Sequence, residues 1–600
     1  MQRRTFLKTT CGAIGFASFF SPSAVFAASS ENLLGFEQIA FNDKDKFVVP
    51  QGYEAKPLIS WGDALFSKAS AFDEKKIIDQ RAIENANLVF GDNNDGMALF
   101  ELENGNALLA VNNEYINPEI MFSHKGEKTT LEDVRYMQNS LGVSIFEISK
   151  DKDGFFQVVL DSPYNRRITA QTPMKLQGAA KGHKLMRTAA DKKGELVLGT
   201  LNNCANGQTP WGTYLTCEEN VDDFFGSSEA NQAFTPALKR YGFGKESVYK
   251  WELDPRFDLA KNPNEANRFG WVVEIDPYNP NSTPIKRTAL GRFKHENAEV
   301  LINKDGRVVV YMGDDEANEF LYKFVSKNKF NKTNKTANKD ILDSGTLYVA
   351  KFNGDLLEGV GEWIELSYGK NGLDKSSGFN SQAEILINAR LAASFVGATP
   401  MDRPEWIAAD LKGEFVYATM TNNTKREKID SANPRTNNIY GQIISWQAQN
   451  KDHAGKNFKW SIFALMGNPE VYPNGTRRGS SNINAENMFN SPDGLKFDKF
   501  GRLWIQSDGK YSNKGDYAKM GNNQMLCANP NTGEIRRFLS GPVACEITGC
   551  AFSKDSTVMF VGVQHPGEFG AKSHFPNGKN TTPRSTVMQI KKLDGGVIGS

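Results

Sequence analysis

An apolar run that starts at a turn residue and ends on Asn, Asp or Gln recurs six times along the chain. The runs occupy residues 105–112, 194–202, 306–314, 413–422, 501–508 and 556–564. Each is rich in Val, Leu, Ile and aromatic residues, which predicts a turn and then a short buried strand with a polar end. Repeated antiparallel units of unequal length are typical of a β-propeller, whose inner strands surround one axis. The pattern therefore predicts an all-β fold.

The spacing of these runs predicts one large domain. Successive runs lie further apart than the ~40–50 residues of a compact blade, so we expect long loops inserted between the strands. No linker-like segment interrupts the repeats. We therefore predict a single propeller domain over residues 28–600, preceded by a signal peptide at residues 1–27.

A second repeat places an acidic residue 15 to 18 positions before four of the polar ends. These acids are Glu296, Glu405, Asp493 and Glu546. If one strand begins near the axis and its neighbour ends there, each acid and the polar end that follows it lie at the same end of the central channel. We expect the functional site at that end of the channel.

Further acidic residues and one thiol fall in similar contexts. They are Cys217, Glu218 and Glu219, followed by Asp314, Asp315 and Glu316. Carboxylates packed together repel one another and are costly to desolvate, so such a cluster needs cations. Oxygen ligands favour Ca²⁺, whereas a thiolate suits iron or zinc, and together they predict a mixed-metal site. The alternative is that these acids are solvated loop residues or partners of the 71 Lys and Arg residues.

The net charge of the chain is too small to attract a highly charged partner. The 71 basic and 70 acidic residues give a net charge of +1. No global field would attract nucleic acid or an acidic membrane. The lysine-rich stretch 326–339 is interpreted as a solvated surface loop, and residues 92–96 (DNNDG), which lack the distal Glu of a calcium loop, as a turn.

The first residues carry an export signal. Arg3 and Arg4 precede an apolar stretch at 11–20 and small residues near Ala27, a pattern that resembles a bacterial Tat signal. The stretch is too short for a stable transmembrane helix. We expect Tat-dependent export of the folded protein, no stable membrane insertion, and a periplasmic or secreted mature chain.

Cysteine usage also indicates a ligand. Once Cys11 leaves with the signal peptide, five cysteines remain, and an odd number cannot all form internal disulfides. Cys217, which is flanked by two glutamates, is the predicted thiolate ligand. The alternatives are a buried structural thiol or a disulfide with Cys204.

Motifs of several hydrolase classes are missing from the sequence. It contains no Gly-x-Ser-x-Gly, no His-Glu-x-x-His and no Walker loop. Arg403 stands two residues before Glu405, and a guanidinium beside a metal-binding carboxylate can bind a phosphate oxygen. A structural ion pair is the alternative interpretation of Arg403.

Taken in order, eight segments resemble those of PhoX-type alkaline phosphatases. The segments are 112–115, 203–220, 291–300, 310–325, 403–406, 421–423, 501–509 and 563–568. The resemblance implies a six-bladed propeller exported by Tat that hydrolyses phosphomonoesters with Fe³⁺ and Ca²⁺. It further implies that Cys217 binds iron, that Glu296 and Glu405 belong to the iron and calcium cluster, and that Arg403 contacts the phosphate. Asp315 and Asp493 are the implied calcium ligands.

We therefore expect a periplasmic, monomeric, metal-dependent phosphatase that acts on small-molecule phosphomonoesters. Two other functions remain open. Residues 491–495 and 501–504 also suit a calcium-dependent propeller lactonase, which would lack the thiolate ligand. A non-catalytic secreted propeller that binds a partner would use the carboxylates only structurally. Metal content separates the three hypotheses.

Overall fold

The computed structural model describes residues 33–74, 82–229 and 231–600. The predicted signal peptide at 1–27 lies outside these residues. The strands are β1 (Tyr53–Ser60), β2 (Asn94–Glu101), β3 (Ala107–Asn113), β4 (Gly142–Lys150), β5 (Phe156–Val158), β6 (Arg166–Ile168), β7 (Pro173–Gln177), β8 (Leu196–Leu198), β9 (Asn203–Gln208), β10 (Tyr214–Glu218), β11 (Val272–Ile275), β12 (Ile285–Arg287), β13 (Glu299–Ile302), β14 (Arg307–Gly313), β15 (Leu321–Lys329), β16 (Gly345–Asp355), β17 (Glu358–Glu365), β18 (Pro404–Ala409), β19 (Val416–Met420), β20 (Gln442–Ala448), β21 (Asn457–Leu465), β22 (Pro492–Phe497), β23 (Leu503–Ser507), β24 (Gln524–Ala528), β25 (Ile535–Ser540), β26 (Glu546–Phe552), β27 (Val558–Gln564) and β28 (Thr586–Lys592).

Helices are few and short in the described residues. They are α1 (Ala82–Asn85), α2 (Pro118–Met121), α3 (Leu131–Ser140), α4 (Pro236–Arg240), α5 (Gln382–Ile387) and α6 (Ala389–Phe395). Among these residues, no helix combines the length and the apolar character needed to span a bilayer.

The strands form six blades around one axis, as the sequence predicted. Blade 1 runs outward from β2, blade 2 from β9, blade 3 from β13, blade 4 from β18, blade 5 from β22 and blade 6 from β26. Each inner strand contacts the inner strands of both neighbouring blades, so the ring is closed. Glycines permit this close approach: a Cβ at Gly96 would lie 2.7 Å from the Ala205 backbone, and one at Gly207 would lie 2.1 Å from the Ala298 carbonyl oxygen.

Two pairings connect blades or chain ends. Blades 3 and 4 share one nine-stranded sheet because β17 pairs antiparallel with β21. Blade 6 is completed by β1, which pairs with β28 over residues 53–60 and 586–592. Strands from the two ends of the described chain therefore close the ring.

The two ends of the channel differ in their connections. At one end, short turns join the first and second strand of every blade, and each contains a residue with positive φ. These residues are Gly105, Gly212, Gly306, Gly413, Gly501 and Ser556. At the opposite end lie most of the longer connections, including 114–141, 219–271 and 565–585. Most of the long insertions predicted from the sequence therefore surround one end of the channel, although 330–344 lies at the end of the short turns, where Phe330 N–H donates to the Gly306 carbonyl.

One of the six predicted runs was misplaced. Residues 194–202 do not form the second strand of blade 2; they contain β8, an outer edge strand whose Leu196 and Leu198 are 55% and 43% exposed. The second strand is β10, and its turn residue is Gly212. The inner strand β9 has the sequence NCANGQ, and its polar character hid it from a search for apolar runs.

Candidate metal centre

Each blade contributes two positions to the end of the channel that carries the long loops. In five blades one lies at or just before the start of the inner strand and the other just after the second strand, whereas in blade 4 both lie at the start of the inner strand. Because these strands are antiparallel, both positions fall at the same edge. We call this end the mouth and define it by Asp95 and Glu114 of blade 1, Cys204 and Glu219 of blade 2, Glu296 and Asp315 of blade 3, Arg403 and Glu405 of blade 4, Asp493 and Asp508 of blade 5, and Glu546 and His565 of blade 6.

In three blades a β-bulge positions the acid. The register between inner and second strand gains one residue between Asn94 and Met97, between Pro404 and Ile407, and between Pro492 and Leu495. Asp95, Glu405 and Asp493 are the first residues of these irregularities. A bulge inserts an extra residue and re-aims a side chain, which explains how an acid enters the mouth from a strand packed on both sides.

Potential ligand atoms converge closely at the mouth. Eight carboxyl groups, one thiol and one imidazole form four groups, and within each group the ligand atoms lie within 4.8 Å of one another. The groups are Asp95, Glu114 and Cys204; Cys204, Glu219 and Glu296; Glu296, Glu405 and Asp493; and Asp508, Glu546 and His565. The first three share members and so form one continuous cluster.

Cys204 lies inside this cluster. Its Sγ donates to Oδ2 of Asp95 at 2.9 Å and to Oε1 of Glu296 at 3.0 Å. Burial, followed by the charges of Asp95 and Glu296, raises the pKa of the Cys204 thiol well above its ordinary value. Without a cation the thiol therefore stays protonated, and it would need a metal ion to become a thiolate.

The carboxyl groups are held in unfavourable surroundings. Burial, followed by the charge of Asp95, raises the pKa of Glu296 to about 8. Burial raises the pKa of Asp95 to about 6. Glu405 and Asp493 have pKa values well above the ordinary range because both are buried beside other acids. The cluster cannot be fully ionised by itself.

Two oxygen atoms provide a direct test of whether this site fits metal ions. Oε2 of Glu296 is buried and accepts no hydrogen bond, and Oε1 of Glu405 is buried, accepts no hydrogen bond and lies 3.4 Å from Nη2 of Arg403. Both side chains are almost fully buried, at 2% and 1% exposure. An unpaired buried carboxylate oxygen is costly, and a cation would satisfy it. The donor set of carboxylates and one thiol therefore fits metal ions.

Arg403 is the one arginine among the mouth residues. Its Nε donates to Oδ1 of Asp315 at 2.8 Å, and its Nη2 donates to Oδ2 at 2.7 Å. Although burial opposes ionisation of Asp315, the guanidinium holds the pKa of that carboxyl below its ordinary value. The Arg403 side chain remains 30% exposed. It thus combines a fixed orientation with access to a ligand in the channel.

The structure places Cys217 outside the cluster. Cys217 packs in an apolar core with Leu215, Val272 and Leu290. It belongs to none of the candidate metal groups in the described residues. The second strand β10 turns Cys217 toward the interior of its blade, so the thiol at the mouth is Cys204 instead. No disulfide forms, because all five described cysteines are free.

Glu218 also points away from the mouth. Its Oε1 accepts from Nζ of Lys286 at 2.6 Å, and its Oε2 accepts from the backbone N–H of Gly270 and Trp271. Both members of this ion pair are 0% exposed. Glu218 therefore holds the end of the 219–271 insertion against β10, whereas its neighbour Glu219 faces the other acids of the mouth.

The mouth brings together most of the predicted site residues. Glu296, Glu405 and Asp493 form one group, and Arg403 binds Asp315 beside them. Asp314 is instead paired with Arg390. Sequence reasoning missed Asp95, which it interpreted as part of a turn, and also Cys204 and Glu114. The structure shows what these positions share: Asp95, Cys204, Glu405 and Asp493 are each the second residue of an inner strand.

Comparison with known proteins identifies the family. A family model described as alkaline phosphatase PhoX matches residues 34–567. The solved structure of Pseudomonas fluorescens PhoX in complex with vanadate, a transition-state analogue, is 56% identical with a TM-score of 0.92, covering 94% of this chain and 99% of that one. The curated proteins contain no match.

More distant structures share only low similarity. XC5397 from Xanthomonas campestris, a gluconolactonase, has 8% identity and a TM-score of 0.31 over 93% of this chain and 99% of its own. An α-L-arabinanase from Penicillium chrysogenum has 11% identity and a TM-score of 0.34 over 92% and 99%. Neither supports an argument about function.

The chain belongs to the alkaline phosphatase PhoX family of metal-dependent phosphomonoesterases.

Proposed function

We propose that this PhoX-family protein is exported by the Tat pathway and hydrolyses small phosphomonoesters with Fe³⁺ and Ca²⁺ held at the mouth. The observation that carries the proposal is a cluster of buried carboxyl groups, two of which have an oxygen that accepts no hydrogen bond, beside one partly exposed arginine. Such a site favours the binding of cations, and the bound cations together with Arg403 favour an anionic substrate.

The residues present divide into two donor types. Cys204 supplies the soft donor and would bind iron together with its neighbours Asp95 and Glu296. Glu405, Asp493 and Asp315 supply hard oxygen ligands suited to calcium. When bound, such cations act as Lewis acids that polarise phosphoryl oxygens and offset the charge that develops in phosphoryl transfer.

Arg403 is proposed to bind the phosphoryl group of the substrate. Asp315 accepts two hydrogen bonds along one edge of the guanidinium and so fixes its plane. The exposed part of Arg403 can then donate to a phosphoryl oxygen that enters the channel. Thr421 donates its backbone N–H to the Arg403 carbonyl at 3.1 Å, which holds the backbone of this residue against blade 4. Positioning and charge stabilisation are the contributions this chain can make to phosphoryl transfer.

The proposal is tested by measuring metal content and turnover on one preparation. The purified protein should contain iron and calcium, release phosphate from 4-nitrophenyl phosphate, and lose activity upon chelation. Vanadate, which the Pseudomonas fluorescens relative binds, should inhibit it. Full activity with calcium and no iron would overturn the assignment of iron to Cys204.

A further inference from the structure

Phe569 is an exposed aromatic residue on a loop that borders the mouth. Its side chain is 83% exposed, more than any other large hydrophobic residue in the described chain. The loop begins at His565, a mouth residue at the end of blade 6, and continues to Ala571. An exposed phenyl ring on such a loop offers an apolar face to a ligand at the mouth.

The loop holds this residue in a strained conformation. Phe569 has φ of 54° and His565 has φ of 38°, both in the left-handed region that bulky residues avoid. Gly567 and Gly570 on either side of Phe569 also have positive φ, at 81° and 76°. Strain of this kind persists only where the surroundings enforce it, and it is concentrated at ligand sites.

Glu568 anchors the loop to blade 1. Its Oε1 accepts from the Tyr115 hydroxyl at 2.7 Å and from Nδ2 of Asn117 at 3.0 Å. His565 Nδ1 lies 3.4 Å from its Oε2. Because Glu568 is only 8% exposed, its side chain points inward while the next residue, Phe569, points outward. The hydrogen bonds of Glu568 thus fix the backbone next to the exposed Phe569.

Three tyrosines lie on loops that leave the mouth, and one of them, Tyr115, contacts Glu568 directly. Burial raises the pKa of Tyr115, Tyr249 and Tyr511, and the charge of Glu568 adds to the increase for all three. They come from the loop after β3, from the 219–271 insertion and from the loop after β23. All three are partly exposed. Tyr115, Tyr249, Tyr511 and Phe569 therefore form an aromatic rim beside the mouth.

The rim lies across the channel from the phosphate-binding arginine. Arg403 belongs to blade 4, whereas the rim is built on blades 5, 6, 1 and 2. Asp508 lies between the two, because blade 5 stands between blades 4 and 6 and Asp508 shares a candidate metal group with His565. A phosphomonoester whose phosphoryl group contacts Arg403 would therefore extend its organic part toward the rim.

We propose that the aromatic rim is a subsite for the leaving group, with Phe569 as a stacking surface, and that it favours planar aromatic groups such as aryl or nucleobase moieties. This inference rests on the proposed phosphatase function. Flat rings gain dispersion and quadrupole contacts with an exposed phenyl ring, whereas a small polyol such as glycerol has no face to stack.

Binding and turnover together test the proposal. Phenylphosphonate and methylphosphonate share the phosphoryl-like head and differ in the group that would reach the rim. We expect the metal-loaded parent to bind phenylphosphonate about tenfold more tightly than methylphosphonate in calorimetry. Phe569→Ala should remove that preference, and Phe569→Trp should restore it. Phe500→Ala removes a 42% exposed phenylalanine from the opposite end of blade 5 and should change nothing.

Kinetics provide the second readout. Phe569→Ala should raise KM for 4-nitrophenyl phosphate and for a nucleoside 5′-monophosphate several-fold, and leave KM for glycerol 3-phosphate and all kcat values within about twofold. Equal effects on all substrates, or none, would overturn the subsite. If no phosphomonoester is hydrolysed but the phosphonate preference remains and depends on Phe569, the proposed function fails and the subsite stands.

Discussion

Arg403 and Asp315 come from adjacent blades and are joined by two parallel hydrogen bonds, Nε to Oδ1 at 2.8 Å and Nη2 to Oδ2 at 2.7 Å. Asp315 follows the second strand of blade 3, and Arg403 precedes the inner strand of blade 4 with φ of 55°. A two-pronged pair fixes both position and plane. The guanidinium thereby lowers the pKa of Asp315, whereas burial raises the pKa values of Glu296 and Glu405 in the same cluster.

Replacing Arg403 should weaken phosphate binding without emptying the site. We expect Arg403→Lys to keep its metals, raise KM and lower kcat, because an ammonium group cannot reproduce the planar contact. Arg403→Ala should lose about 1.5–3 kcal/mol of transition-state binding, roughly ten- to a hundredfold in kcat/KM. Inorganic phosphate should inhibit both variants more weakly than the parent.

The control is Arg307→Lys, at a surface pair with Asp305 remote from the mouth. It should behave like the parent. Unaltered hydrolysis and phosphate inhibition in Arg403→Ala would mean that Arg403 is only a structural partner of Asp315.

Glu405→Gln should fail in a different way. The substitution removes a buried charge whose Oε1 has no hydrogen-bond partner. We expect loss of bound metal together with loss of turnover, since a ligand is removed rather than a substrate contact. Elemental analysis of the purified variant checks this. A variant with the parent's metal content would exclude Glu405 as a ligand.

The two neighbouring cysteines form a matched pair for testing iron binding. Cys204→Ser should lose iron, because this thiol contacts Asp95 and Glu296. Cys217→Ser should retain iron and activity but lower the free energy of unfolding by about 1–3 kcal/mol, since it places a hydroxyl in an apolar core. Metal analysis and thermal unfolding separate the outcomes. Iron loss in Cys217→Ser alone would reverse our assignment.

Metal-stripped protein should become less stable as pH rises. Glu296 has a folded-state pKa of about 8 against an ordinary 4.5, so the folded state binds more protons than the unfolded chain between these values. In that window the free energy of unfolding falls with pH, by roughly 1.4 kcal/mol per unit for one such group. Urea titrations from pH 5 to 8 measure the slope, and Glu296→Gln should reduce it. Bound calcium and iron should flatten it, whereas a flat profile in stripped protein would contradict the raised pKa.

Export is predicted from residues outside the described structure. Replacing Arg3 and Arg4 together by Lys should leave folded, active protein in the cytoplasm and little activity outside, because the twin-arginine pair is the proposed export signal. Activity assays on cell fractions measure this, with a single Lys8→Arg change as control. Undiminished export of the double variant would exclude the Tat route.

The fold could be predicted because apolar second strands repeat along the chain. Runs such as 306–314 and 501–508 end at the mouth, as the pattern implied, and Glu296, Glu405 and Asp493 follow from their spacing. Asp95 and Cys204 could not be found this way. Cys204 sits on the polar strand β9 (NCANGQ), and Asp95 sits in the polar start (NDG) of β2; packing around the axis makes these segments strands despite their weak apolar pattern. The direction of Cys217 depends on pleat register, which spacing alone does not set.

The pairing of β1 with β28 has a consequence for biosynthetic timing. Blade 6 supplies Glu546 and His565 and contains both β1, the first of the described strands to be synthesised, and β28, which ends at Lys592. A nascent chain on the ribosome therefore has an open ring and an incomplete set of ligands. Tight metal loading must wait until translation has passed this point. Truncated translation products would remain unloaded, so cofactor acquisition itself discriminates between finished and unfinished chains.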